Sequence, residues 1–301
     1  MSKSSLKFGL ALGAGGARGW CHVGVLRALE EMGLRPDVVA GTSMGSIVGA
    51  IYAAGKLDAL EEWALGLSRG MLLRLMDVRL SNGGLIEGGA IETVFKELDV
   101  PELIEELPLP FAAVACDMGT GQEVCFDSGP VGRAVRASAA LPGALSPARI
   151  DGAWYLDGGL VNPVPVSVCK AMGADVVIGV DANAHPDGVI WHPTEGAGWP
   201  ALMAGWRDRL PDVFGLGPAE SAPEPRGPGY ATVITATVEI MMDGLTRARL
   251  SDDPPDLLLE ADLADKIFAM EFDRADEAIT EGRRMVEAAA PRIAALFDGA
   301  V

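Results

Sequence analysis

The sequence predicts a three-layer α/β/α fold around a mostly parallel central sheet. Three observations predict it. Short apolar runs of strand length alternate with longer stretches patterned at helical spacing, the arrangement of a sheet covered by helices on both faces. The first two runs each end in a glycine-rich turn before a helical pattern resumes, as in strand–turn–helix units of parallel sheets. Finally, 301 residues with 49% hydrophobic and 22% charged side chains suffice for one large core of ordinary globular composition.

The elements follow in order. A strand over 6–12 leads through Gly13-Ala14-Gly15-Gly16-Ala17-Arg18-Gly19 into a helix that starts near Trp20 and is capped by Gly33. A strand over 38–40 leads through Gly41-Thr42-Ser43-Met44-Gly45 into a helix over 46–54, closed by Gly55. Helical patterns recur at about 58–77 and 87–98. Residues 111–117 and 123–126 read as strands joined by the Gly119-Thr120-Gly121 turn, and a helix over 131–140 stops before Pro142. A strand over 154–156 carries Asp157, followed by a helix over 164–172 and a core strand over 175–180. The chain closes with a helix over 230–249, a strand over 256–260 and a long helix over 273–297 with Pro291 near its end.

One stretch breaks this regularity. Residues 182–228 hold Trp191, Trp199 and Trp206 and eight prolines with little periodic pattern. Long patternless loops inside a domain usually carry function, so the chain is read as one domain, 1–301, with a mobile insertion there that is either a lid over the acyl site, a plain surface loop or a dimer contact. Tryptophans suit a lipid–water boundary, because the ring is apolar and its N–H polar.

The motifs point to hydrolytic chemistry. Gly41-Thr42-Ser43-Met44-Gly45 is a G-x-S-x-G nucleophile elbow in strand–turn–helix context. The loop 13–19 offers backbone N–H groups at a helix start, where negative charge is stabilised. A serine hydroxyl also needs a base. Of three histidines, His22 lies on a helix and reads as a packing residue, while His185 and His192 fall in the Pro/Gly-rich stretch and read as surface loop. Asp157, at a strand end before Gly158-Gly159, is either a turn aspartate or the base. Arg18 is either a brace for the glycine loop or a contact for a substrate phosphate.

Four segments appear in a telling order: the loop ending Gly16-Ala17-Arg18-Gly19, the elbow 41–45, Ala137-Ser138-Ala139-Ala140-Leu141-Pro142-Gly143, and Asp157-Gly158-Gly159-Leu160-Val161-Asn162-Pro163-Val164-Pro165. Together they resemble the patatin-like phospholipases, and within that group the small stand-alone bacterial proteins of the RssA type. The likeness extends to 239–242 and 253–258. It implies a patatin-like fold and a Ser–Asp dyad acting on fatty-acyl esters of lipids, lysophospholipids included, with no cofactor and no metal. By position, Ser43 is then the nucleophile and Asp157 its base. Gly13, Gly15, Gly16, Ala17 and Arg18 supply the oxyanion hole, and Gly41, Met44 and Gly45 shape the elbow. Ala14 departs from the family loop, where many members have glycine.

Bulk properties exclude other classes. A net charge of −18 argues against nucleic acid and against electrostatic docking to an anionic membrane, leaving only hydrophobic membrane contact. No signal-peptide pattern precedes the first strand and no apolar run nears membrane-spanning length, so a soluble cytoplasmic protein is expected. Cys21, Cys116, Cys125 and Cys169 lack C-x-x-C or metal spacing and read as reduced thiols. A dinucleotide fingerprint fails because its third glycine falls on Arg18, and a P-loop fails for want of Gly-Lys-[Ser/Thr]. Two rivals stay open. An α/β-hydrolase esterase would use Ser43, Asp157 and His185 or His192, although Ser43 follows only two predicted strands. A catalytically weak scaffold would bind lipid or a protein partner.

Overall fold

A computed structural model describes residues 6–68, 70–71, 89–142, 144–190 and 230–297. Among the described residues, eight strands form one sheet: β1 (Phe8–Leu12), β2 (Val38–Thr42), β3 (Phe111–Asp117), β4 (Glu123–Phe126), β5 (Ala148–Ile150), β6 (Ala153–Asp157), β7 (Val176–Asp181) and β8 (Leu257–Glu260). The order is β5-β6-β3-β2-β1-β7-β8, with β4 also paired to β3. Neighbours from β3 through β8 on this path run parallel, whereas β4, β5 and β6 pair antiparallel. The expected mostly parallel sheet is therefore present. Strand β5 was not anticipated, being only three residues of which one is buried.

The helices are α1 (Cys21–Glu31), α2 (Met44–Ala53), α3 (Leu57–Leu65), α4 (Gly89–Glu97), α5 (Val131–Ser138), α6 (Val166–Ala171), α7 (Tyr230–Asp252) and α8 (Ala275–Phe297). Helix α3 ends well short of the predicted residue 77, part of which lies outside the described residues. Most of the 182–228 stretch, with His192 and its three tryptophans, also lies outside them.

Alternation along the strands sorts the core into two faces. Leu10, Leu12, Val39, Phe111, Ile178 and Val180 join the large cluster with α1, α2 and α8. The intervening Ala11, Ala40, Ala112, Val114 and Val177 join a smaller cluster with Val166, Val168 and Cys169 of α6. Successive side chains of a strand point to opposite faces, so one face carries bulk and the other mostly small residues. Helices α1 and α8 approach through facing glycines: a Cβ at Gly24 would strike the Ile279 carbonyl, and one at Gly282 the Cys21 carbonyl. The three-layer α/β/α architecture follows, and strands β1, β2 and β3 all end on one side of the sheet.

Candidate active site

The elbow sits where β2 turns into α2. Ser43 adopts φ 55° and ψ −121°, a conformation that L-residues rarely hold outside tightly constrained turns. Close packing enforces it. A Cβ at Gly41 would overlap the Gly45 carbonyl and Ser46, and one at Gly45 would overlap the Leu12 and Gly13 carbonyls. The Ser43 carbonyl accepts from Ser46 N at 2.9 Å and from Ser46 Oγ at 2.6 Å. The Ser43 N–H donates to Ser138 Oγ at 2.9 Å. Ser138 lies in one of the four segments that carried the resemblance, but the sequence offered no role for it.

Asp157 is the last residue of β6 and its only buried one. Ser43 Oγ donates to Asp157 Oδ2 at 2.6 Å, and Gly159 N donates to Asp157 Oδ1 at 2.7 Å. Asp157 N donates to the Ala140 carbonyl at 3.0 Å, which fixes the strand end. The carboxyl is fully buried, and this desolvation pushes its pKa up to about 6, although both hydrogen bonds favour the charged form.

The glycine loop faces the same place. Met44 side-chain atoms lie 2.5 and 2.7 Å from where a Gly19 Cβ would be, so elbow and loop touch. Gly13 N donates to the Val180 carbonyl at 2.9 Å, Ala17 N to Ala269 at 2.8 Å and Arg18 N to Gly15 at 3.1 Å. Those three amides, part of the donor set expected from the sequence, are engaged by backbone carbonyls. The amides of Gly15 and Gly16 have no partner among the described residues. Gly16 takes φ +51° at the entry to a short 3-10 turn, Gly16–Trp20. Ala14 is not among the residues at positive φ and donates to the Pro163 carbonyl at 2.8 Å, so alanine fits there without strain.

Arg18 is a brace. It is 4% exposed, and its guanidinium donates to the Ile267 carbonyl at 2.7 Å, Asn183 Oδ1 at 3.0 Å, the Ala264 carbonyl at 3.4 Å and Glu239 Oε1 at 3.5 Å. A substrate phosphate would have to displace these partners. His22 is buried as expected, and its Nε2–H donates to the Gly13 carbonyl at 2.8 Å. Burial lowers its pKa to about 4, so it is a neutral support for the loop. Both Asp157 oxygens are occupied by Ser43 and Gly159, and His185 bonds to neither Ser43 nor Asp157. Further residues tie these segments together. Thr42 Oγ1 donates to the Asn162 carbonyl at 2.8 Å, and Asn162 Nδ2 donates to Glu123 at 3.2 Å and to Ser167 at 3.0 Å. Arg249 of α7 donates to the Val161 carbonyl at 2.8 Å and to Glu123 at 3.0 Å. All four thiols are free, and no metal-ligating cluster occurs among the described residues. Nor is any described helix long and apolar enough to cross a membrane.

Known proteins resemble this chain at several levels. The family model for patatin-like phospholipase matches residues 10–170. An NTE family protein of Mycobacterium tuberculosis is 35% identical, covering 94% of this chain and 91% of that protein. Human patatin-like phospholipase domain-containing protein 6 is 35% identical over 59% of this chain, though this is only 13% of that much longer protein. Among solved structures, VipD from Legionella pneumophila aligns over 99% of this chain and 67% of its own, at 15% identity and a TM-score of 0.45. With more than half of its length matched by the family model and nearly all of it by the mycobacterial relative, this chain belongs to the patatin-like phospholipase family.

Proposed function

We propose that this protein is a serine acyl hydrolase that cleaves fatty-acyl esters of lipids through a Ser43–Asp157 dyad. The observation that carries the reading is the 2.6 Å hydrogen bond from Ser43 Oγ to Asp157 Oδ2, made by a strained serine and a fully buried carboxylate. The family match supports the substrate class.

In the first step Asp157 Oδ2 takes the Ser43 proton as Oγ attacks the ester carbonyl carbon. The carbonyl π pair moves onto oxygen, and the amides of Gly15 and Gly16 stabilise the oxyanion, an interaction that commonly contributes the largest electrostatic share in acyl transfer. Collapse of this intermediate expels the alcohol portion, which takes the proton from Asp157 and leaves an acyl-Ser43. Water then repeats the sequence, with Asp157 again as base, and releases the fatty acid. A carboxyl with a pKa of about 6 suits a base working near neutrality far better than an ordinary aspartate does.

The test assays the purified chain on p-nitrophenyl acyl esters and lysophospholipids beside Ser43→Ala and Asp157→Asn. Both variants should lose roughly 10²–10⁴-fold or more in kcat/KM, the range for removing a nucleophile or its base. A Ser43→Ala protein that keeps its rate would refute the reading. A His185→Ala loss as deep as that of Ser43→Ala would point to the histidine triad instead.

A further inference from the structure

Helix α7 takes no part in the chemistry above, yet it touches both halves of the site. Glu239, Met242, Thr246 and Arg249 follow one another at intervals of three or four residues, the spacing of a single helical face. Glu239 meets Arg18 beneath the glycine loop, and Arg249 meets the Val161 carbonyl just beyond Asp157. Met242 reaches in between them. A Cβ built on Gly159 would lie 2.5 Å from Met242 Cε, 3.0 Å from Asp157 Oδ1 and 3.4 Å from Ala14 Cβ. The thioether methyl therefore takes the space next to the carboxylate that a side chain at residue 159 would need.

We propose that Met242 is a positioning residue for Asp157: its methyl terminus fills this space at Gly159 and keeps water from the carboxylate and from the amide that holds it. The proposal rests on Asp157 being the base. Methionine suits such a place because its unbranched chain fills irregular gaps without adding a polar group. The groups around Asp157 leave desolvation as the dominant influence. Ser43 from the elbow and the Gly159 amide bond to it, and the thiol of Cys116 on β3 lies near enough to feel its charge. The charged residues on the inner face of α7 are engaged elsewhere, Glu239 with Arg18 and Arg249 with Glu123. Burial is accordingly the first cause of the raised Asp157 pKa.

Opening this space should admit water and stabilise the carboxylate. The base then ionises at lower pH and becomes weaker, so the acid limb of kcat/KM moves down while the plateau falls. Loss of packing alone would lower the whole profile without moving the limb.

The experiment measures the kcat/KM–pH profile with a soluble short-chain p-nitrophenyl ester for wild type, Met242→Ala, Met242→Gln and Met242→Leu, beside Asp157→Asn. We expect the acid limb of Met242→Ala and Met242→Gln to move about one pH unit lower, a tenfold change in the ionisation constant. Met242→Leu, apolar and of similar volume, should restore the wild-type limb. Met242→Gln keeps the length of the side chain, so the shift can be read even where truncation harms folding. Limbs that stay in place in both polar and truncated variants, with Asp157→Asn inactive, overturn the role of Met242 and leave the dyad intact. An active Asp157→Asn overturns the dyad itself.

Discussion

The two sides of the proposed catalytic pair come from regions built on different terms. Ser43 leaves the parallel centre of the sheet, where β1, β2 and β7 are buried along their whole length. Asp157 comes from the antiparallel margin, where β4, β5 and β6 are mostly half-exposed. At the centre, position is set by backbone packed on backbone, with no room for a Cβ at Gly41 or Gly45. At the margin it is set by polar clasps: Asp157 N to Ala140, Asn162 to Glu123 and Ser167, and Arg249 to Val161 and Glu123. Ser43, the proposed nucleophile, is thus held by steric necessity, while Asp157, its proposed base, is held by hydrogen bonds. Damage to the two should look different.

Breaking the centre should have the largest effect. Gly45→Ala forces a methyl onto the Leu12 and Gly13 carbonyls, and overpacking of this kind costs about 1–3 kcal/mol or more. Because the shift falls on the elbow itself, we expect a lower urea midpoint together with near-complete loss of esterase activity. A Gly45→Ala protein with wild-type midpoint and rate would show that the elbow is not sterically fixed.

Asp157→Asn sharpens the contrast by separating activity from stability. Its raised pKa means that the folded state holds the proton more tightly than the unfolded chain does. That contribution is complete below the unfolded value near 3.8 and fades as pH rises through about 6. Above pH 7 the native state carries a buried charge, so the neutral asparagine should stabilise the fold by roughly 1–2 kcal/mol while abolishing turnover. Urea melts of both proteins at pH 4 and pH 8 check this. The gain should appear at pH 8 and vanish at pH 4.

Loosening a clasp at the margin should act mainly on rate. Arg249→Met removes the donors to Val161 and Glu123, but the side chain is 37% exposed, so stability should fall by only about 1 kcal/mol. We expect kcat to drop about tenfold with KM little changed, because only the setting of the base is disturbed. A uniform rise in KM instead would place Arg249 in substrate binding. The smallest effect is expected for His185→Ala, which should stay within about twofold of wild type in kcat/KM, since that ring bonds to neither member of the pair.

Legibility in the sequence followed the same division. The central strands read clearly, because burial on both faces produces continuous apolar runs such as Val38-Val39-Ala40 and Val176-Val177-Ile178. The margin read less well. Strand β5 is too short to show a period, and β6 exposes Trp154 at 46%. The glycine loop was recognisable as a donor site, but not which amides were free. That depends on Val180, Pro163 and Ala269, which lie far away in the chain.

By itself, the sequence determined the layered α/β class, the elbow at Ser43 and the family likeness, together with Asp157 as one candidate partner for the serine. These are local matters: apolar periodicity, glycines where the backbone must turn sharply, and small residues beside a strained serine. Only the tertiary structure decided that Ser43 and Asp157 share a hydrogen bond across 114 positions of chain, and that Arg18 is a brace. It also set Met242 of α7 against Gly159, beside the carboxylate. The physical reason is that burial and hydrogen-bond partnership belong to pairs of distant segments. A residue's charge state and role follow from what folding brings against it, which local pattern does not encode.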